Sequence, residues 1–178
     1  MAAEIWKVDP TASEIKFTLR HLVLASITGR VRRWQGTVHI DRQDPSHSSV
    51  EVVIDARSLD TGEPERDEHI RSVEFLNTEV HPEIRFSSTT VVPEGSARYL
   101  VQGDLTIRTV TRKVTLRVSD LERLNGGDGE YRASFRGHCT FDRQSFGLRW
   151  NQDLDTGGVV LGDKVDVDIK LEVLRGKA

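Results

Sequence analysis

The sequence predicts an all-β fold: a single antiparallel barrel of eight strands carrying one short helix. Three observations predict it. Apolar and polar residues alternate with period two along most of the chain, turn chemistry separates the alternating runs, and one stretch alone replaces alternation with helical spacing.

The alternation starts with Ile15, Phe17, Leu19 and His21 on one face and Glu14, Lys16, Thr18 and Arg20 on the other. Trp34, Gly36, Val38 and Ile40 repeat it, as do Val50, Val52 and Ile54. Tyr99, Val101, Gly103, Leu105 and Ile107 form a further stripe, followed by Val114, Leu116 and Val118. Tyr131, Ala133, Phe135, Gly137, Cys139 and Phe141 come next, and Val165, Val167, Ile169, Leu171 and Val173 close the series. Between Ile27 and Ile40 the parity slips, since Ile27, Gly29 and Val31 are out of phase with Trp34. An extra residue at Arg32-Arg33 produces such a slip and predicts a β-bulge. Turns are expected at Asp44-Pro45-Ser46, Pro93-Glu94-Gly95, Asn125-Gly126-Gly127-Asp128-Gly129 and Gly162-Asp163.

The exception is Glu63 to Ser72, acidic at its start and basic at its end, in accord with the helix dipole. Pro64 suits a first helical turn and Asp67 stands four residues before Arg71, so a helix over about residues 63–72 follows. Val73, Phe75 and Leu76 are expected to anchor its exit. Its polarity places it at a barrel mouth or flank rather than in the core. A barrel is favoured over a sandwich because no strand carries the proline or inward charge of a protected edge.

The chain has 178 residues, 37% of them hydrophobic and 30% charged, with one cysteine and a net charge of −3. One domain accommodates this length, and no linker or repeat divides it. The slight acidity argues against nucleic acid, whose phosphates demand a cationic excess. A lone cysteine excludes an internal disulfide framework. Met1 to Lys7 lack the basic and apolar regions of a signal peptide and no apolar run is long enough to span a bilayer, so a cytoplasmic location is expected.

No nucleophile elbow, phosphate loop or metal motif is present. Cys139, between Gly137 and Phe141 of an apolar stripe, reads as a buried, inert thiol. His21 ends an apolar stripe, where a hydrogen-bonded core histidine competes with a polar anchor for a ligand. His39, His47, His81 and His138 read as solvated. Arg66, Asp67, His69 and Arg71 read as a helix laced with surface ion pairs, with a small polar site as the alternative. Arg30, Arg32 and Arg33 beside Trp34 read as a solvated strand face. Asp163, Asp166, Asp168 and Glu172 fit a water-facing last strand better than a calcium loop.

Several blocks carry a family resemblance, spread from Trp6 to about Val173. They include Trp6-Lys7-Val8-Asp9-Pro10, Ile15-Lys16-Phe17-Thr18-Leu19-Arg20-His21-Leu22, Thr28-Gly29-Arg30-Val31 and Gly36-Thr37-Val38. Most specific are Ser58-Leu59-Asp60-Thr61 and Arg66-Asp67-Glu68-His69-Ile70-Arg71-Ser72, then His81-Pro82-Glu83-Ile84-Arg85-Phe86. Gly103-Asp104-Leu105-Thr106-Ile107, Val110-Thr111-Arg112, Arg143-Gln144-Ser145-Phe146-Gly147-Leu148 and Gly162-Asp163-Lys164-Val165 complete the set. The chain resembles the YceI-like proteins, lipocalin-like barrels associated with binding polyisoprenoid lipids. It departs from their pattern at His81, Thr109, Lys113 and Ser145, all in turns or loops.

The resemblance implies an isoprenoid tail threaded through an apolar lumen. Phe17, Leu19, His21, Trp34, Val38, Ile40, Val52, Ile54, Phe86, Tyr99, Val101, Leu105, Ile107, Leu116, Phe135 and Phe141 are its candidate lining, with Arg66, Asp67 and His69 as candidate head-group residues at the mouth. Gly36, Gly103 and Gly137 are expected to leave room inside. Each buried CH₂ contributes ~0.8 kcal/mol, so a long tail needs little polar help. The expected function is non-catalytic carriage or sequestration of a polyisoprenoid, quinone-like lipid, with no catalytic cofactor or metal. The alternatives are an enzyme acting on such a lipid through His21 or the Arg66-Asp67-His69 group, and a ligand-free interaction module, with a homodimer as one form of partner.

Overall fold

The computed structural model of the chain describes residues 3–21, 25–125, 130–151 and 160–175. Its strands are β1 (Glu4–Val8), β2 (Glu14–His21), β3 (Ala25–Val31), β4 (Trp34–Ile40), β5 (Ser49–Asp55), β6 (Leu59–Asp60), β7 (Glu83–Pro93), β8 (Arg98–Ile107), β9 (Val110–Asn125), β10 (Tyr131–Asp142) and β11 (Leu161–Arg175). One helix, α1 (Pro64–Arg71), lies between β6 and β7.

These segments form a closed antiparallel barrel of eight wall positions. The short segments share positions. β1 and β2 both lie on β11, Lys7 and Val8 against Leu174 and Val173, and Glu14 to His21 further along against Lys170 to Leu161. Likewise β4 pairs with β1 and β3 with β2, while β5 pairs with β4 and β6 with β3. β7 to β11 complete the ring, and the contact of β1 with β11 shuts it. Apolar residues point in. Outward stand Lys16, Arg30, Glu51, Arg85, Lys113, Arg117 and Lys170, the inverse of the apolar-out pattern of a membrane-spanning barrel. Among the described residues no helix is long and apolar enough to cross a membrane.

The parity slip at Arg32-Arg33 is present but ends the strand instead of bulging it. Both arginines are exposed, so Val31 and Trp34 can both face inward. Ser58 fills the gap: its hydroxyl accepts from Arg33 N at 2.9 Å and its carbonyl from Arg32 N at 3.1 Å. Outside the barrel Arg30, Arg32 and Arg33 pair with Glu14, Asp60 and Asp55, respectively, leaving no basic patch there.

Gly162-Asp163 is not a hairpin turn. It lies within β11 as a bulge, where Leu161 pairs with His21 but Val165 already pairs with Leu19. The expected turns at Asp44–Ser46 and Pro93–Gly95 join β4 to β5 and β7 to β8. The turn expected at 125–129 lies, beyond Asn125, outside the described residues. Arg108 carries the positive φ (57°) of the β8–β9 hairpin, one residue before Thr109. α1 matches the expected span, yet Asp67 makes no surface pair with Arg71. It is buried and accepts from the backbone N and hydroxyl of Thr61, at 2.9 and 2.5 Å. Val73 does not anchor the helix exit, being 71% exposed; Phe75 and Leu76 do.

Two apolar clusters fill different parts of the interior. The larger lines the wall from Ile15 round to Cys139. The smaller packs Trp6, Ile40, Ala133 and Val173 at the end of the barrel where β4 and β11 finish. Arg175 covers this second cluster, its guanidinium 4.6 Å from the Tyr131 ring and 5.3 Å from Trp6, and binds Glu4 at 2.7 Å.

The stripe glycines differ from expectation. Gly103 lies beneath the Phe86 ring, where a Cβ would meet Cζ at 2.5 Å, and Gly36 lies against Val8 and the Glu51 carbonyl. Only Gly137 has room, with its nearest neighbour at 3.6 Å. Gly103→Ala should therefore cost about 1–3 kcal/mol in urea unfolding, whereas Gly137→Ala should be neutral or stabilise by about 0.5 kcal/mol. Equal costs for the two would contradict this packing.

Candidate functional site

Inward alternation on every wall leaves a cavity of about 680 Å³ inside the barrel. This falls within the ~300–1,000 Å³ usual for small-molecule sites. Phe17, Leu19, His21, Trp34, Val38, Ile40, Val52, Ile54, Phe86, Tyr99, Val101, Leu105, Ile107, Leu116, Phe135 and Phe141 all line it. Sequence reasoning missed Val91, because a bulge between Ser88 and Thr90 shifts the parity of β7. It also missed Trp150 and Leu148, which lie in a segment with no alternation to read.

At one end the lining reaches α1 and the segment after β10. Glu63, Glu65, Arg66, His69, Phe75 and Trp150 all contribute there. His69 presents its ring edge-on to Trp150 at 4.6 Å and to Phe75 at 5.1 Å, and its Nε2 meets Glu74 Oε2 at 2.5 Å. Arg66 donates from Nε and Nη2 to the Thr61 hydroxyl and carbonyl and pairs with Glu63 at 3.2 Å. Asp67, named with them from the sequence, does not line the cavity. It holds Thr61, and Thr61 in turn receives Arg66, so Asp67 supports the mouth from behind. At the opposite end the lining turns polar, with Asp41, Arg42, Pro45, Ser48 and Ser49 around the β4–β5 turn.

Arg143 organises the helix-side mouth. It is 1% exposed and donates to the carbonyls of Gly162, Leu148, Trp150 and Leu161, at 2.8, 2.7, 2.8 and 3.3 Å. Asn151 adds a two-way bond to the backbone of Leu161. These bonds tie the segment carrying Trp150 to the start of β11. Burial lowers the Arg143 pKa from its usual value, opposed by Asp163 and Asp142.

Several other titratable groups lie apart from this mouth. His138 and Thr140 face outward and bond Asp168 and Asp166, and Glu172 pairs with Arg132. His47 sits near Asp41 and Asp44. His39 departs from the solvated reading: it is half-buried and its Nδ1 is out of contact with water.

Cys139 is buried in the wall, and burial together with Asp166 and Asp168 pushes its pKa up to about 11. A thiol so raised is almost wholly protonated at neutral pH and is a poor nucleophile. Native protein at pH 8 should react with a thiol reagent at least about tenfold more slowly than urea-unfolded protein. Because the folded pKa exceeds the unfolded one, Cys139 contributes stability that is full below pH ~9 and is lost as pH rises through ~11; Cys139→Ala should flatten that alkaline loss. Arg143→Met should lower stability by about 3 kcal/mol or more by stranding buried carbonyls, and Arg143→Lys should not restore it. Thermal unfolding of the variants checks both.

Comparison with known proteins agrees with this architecture. The model of the YceI-like domain matches residues 6–173. A UPF0312 protein of Pseudomonas paraeruginosa is 36% identical over 151 residues, covering 84% of this chain and 78% of that one. A UPF0312 protein of Shewanella denitrificans is 32% identical over 158 residues, covering 89% and 81%. Among solved structures, Burkholderia cenocepacia BcnA superposes with a TM-score of 0.80 at 22% identity, over 93% of this chain and 98% of that one. A polyisoprenoid binding domain from Saccharophagus degradans does so with a TM-score of 0.65 at 19% identity, over 97% and 98%. With its barrel, its hollow wall and a match that spans nearly its whole length, the chain belongs to the YceI-like domain family.

Proposed function

We propose that the barrel holds a long-chain isoprenoid lipid without altering it, as a carrier or store. The observation that carries this reading is the cavity, about 680 Å³ and walled almost entirely by hydrocarbon side chains between two polar rims. Such a wall stabilises an apolar tail by about 0.8 kcal/mol per buried CH₂ and offers little to a polar solute. The similarity to a polyisoprenoid binding domain supports the same ligand class.

The helix-side mouth suits an uncharged head group such as a quinone ring or an alcohol. Its lining cations are Arg66, held by Thr61 and Glu63, and Arg143, held by four carbonyls. Glu63 and Glu65 add negative charge. At this mouth a diphosphate would meet these carboxylates, while Arg66 and Arg143 are both already engaged. A planar neutral ring can stack on Trp150 and accept a hydrogen bond from the His69 ring.

One observation favours a second reading, catalysis on the lipid. His69 lines the mouth and touches Glu74, which gives a histidine–carboxylate pair at hydrogen-bond distance. Recovery of chemically unchanged lipid after prolonged incubation would set that reading aside.

Organic extraction of purified protein should release a prenyl lipid visible by mass spectrometry. Lipid-free protein that also fails to take up added prenyl lipid would overturn the proposal. In competition assays farnesol should bind about tenfold or more tightly than farnesyl diphosphate, a difference of about 1.4 kcal/mol. The reverse order would reject the neutral head group.

A further inference from the structure

The barrel has an apolar floor at a definite depth, and we infer that Trp6 and the residues packed with it set the length of prenyl tail the lumen can hold. The inference rests on the reading of the cavity as a prenyl-lipid site and adds to it a specificity determinant.

The floor is built from two layers. Val38, Ile40, Phe135 and Leu171 touch the cavity and also pack on the second cluster, whose Trp6, Ala133 and Val173 are at most 1% exposed and do not reach the cavity. Outside Trp6 sits Arg175, stacked on Trp6 and Tyr131 and bound to Glu4, which also holds Arg42 at 3.2 Å. The stack is thus closed from the solvent side by an ionic clasp. Beside the floor the described lining runs on toward the β4–β5 turn, where Asp41, Arg42 and Ser48 make a polar wall. Hydrocarbon that passes the floor on that side gains little from burial.

The depth follows from the registers. His21 marks the mouth level on β2 and Leu171 the floor on β11, with Ile15 paired to Ile169 between them. At ~3.4 Å per residue and the ~35–45° strand tilt of an eight-stranded barrel, this span is about 20 Å along the axis. An isoprene unit advances an extended tail by roughly 5 Å, four carbon–carbon bonds, so the lumen takes about four units.

Gly137 supplies an independent handle. It lines the cavity two residues mouthward of Phe135, and a Cβ there meets nothing closer than Ile169 at 3.6 Å. A larger side chain at this position projects into the lumen above the floor without disturbing the floor itself.

The test is a binding series of all-trans prenyl alcohols, from geraniol through farnesol, geranylgeraniol and pentaprenol to solanesol, in competition with a fluorescent lumen probe. Affinity should rise by at least about tenfold per unit up to geranylgeraniol, after which pentaprenol and solanesol should gain less than a single such step. In Trp6→Ala the plateau should move to longer alcohols. In Gly137→Leu it should move to shorter ones, which keeps the test decisive if Trp6→Ala does not fold. Affinity that climbs at the same step through to solanesol, or a plateau unmoved by Gly137→Leu in folded protein, would overturn the length stop while leaving lipid binding intact. Failure of every alcohol to bind would remove the lipid reading itself, and the length stop with it.

Discussion

The structure depends on one seam. Lys7 and Val8 of the first strand pair with Leu174 and Val173 of the last, and this short ladder turns an open sheet into a closed wall. An open edge would leave unpaired N–H and C=O groups and permit the sheet to flatten. A closed ring of eight strands instead fixes tilt and diameter, and at this strand number the interior is just wide enough for side chains or one slender ligand. The seam is reinforced from inside by Trp6 against Val173 and from outside by Arg175, which grips Glu4 of the first strand while standing on the last. Closure and the apolar floor are therefore the same piece of structure.

The opposite end is held differently. There the wall gives way to α1 and to residues 143–151 after β10, which lie outside the ladders of the sheet. Buried side chains serve in their place. Arg143 gathers four carbonyls with one guanidinium, Asn151 mimics a strand partner for Leu161, and Asp67 caps Thr61. A guanidinium can do this because its fork of donors is planar and permanently charged. The consequence for binding is that Arg66 and Arg143, the guanidiniums lining the mouth, are already engaged in structure. Beside Glu63 and Glu65, what faces the lumen entrance is a cluster of rings, Trp150 and Phe75 with His69 between them.

Much of the wall was legible because the rule that writes it is local. A strand with one face on an apolar interior must alternate, so Phe17, Leu19, Val101, Leu105 and Phe135 could be assigned to the interior without knowledge of their partners. Where bulges break the period, the reading failed in a specific way. Val91 was missed beyond the β7 bulge, and Gly162-Asp163 passed for a turn although it lies inside β11. The helix was legible from its charges and Pro64, but not the direction of Asp67. An acidic residue four before an arginine looks the same whether it faces water or caps Thr61.

By itself the sequence determined the fold class, the inward and outward faces, the helix and the apolar chemistry of the interior, because period, turn residues and charge order act over a few residues. Only the tertiary structure decided whether the barrel closes, whether its inside is filled and where it stops. Those outcomes depend on residues far apart in the chain, Trp6 with Val173, Gly103 with Phe86 and Arg143 with Leu161, whose meeting no local pattern encodes. Glycine shows the difference most plainly: three stripe glycines look alike in sequence, yet a ring fills the space at Gly103, Val8 and the Glu51 carbonyl crowd Gly36, and Gly137 alone leaves the lumen open.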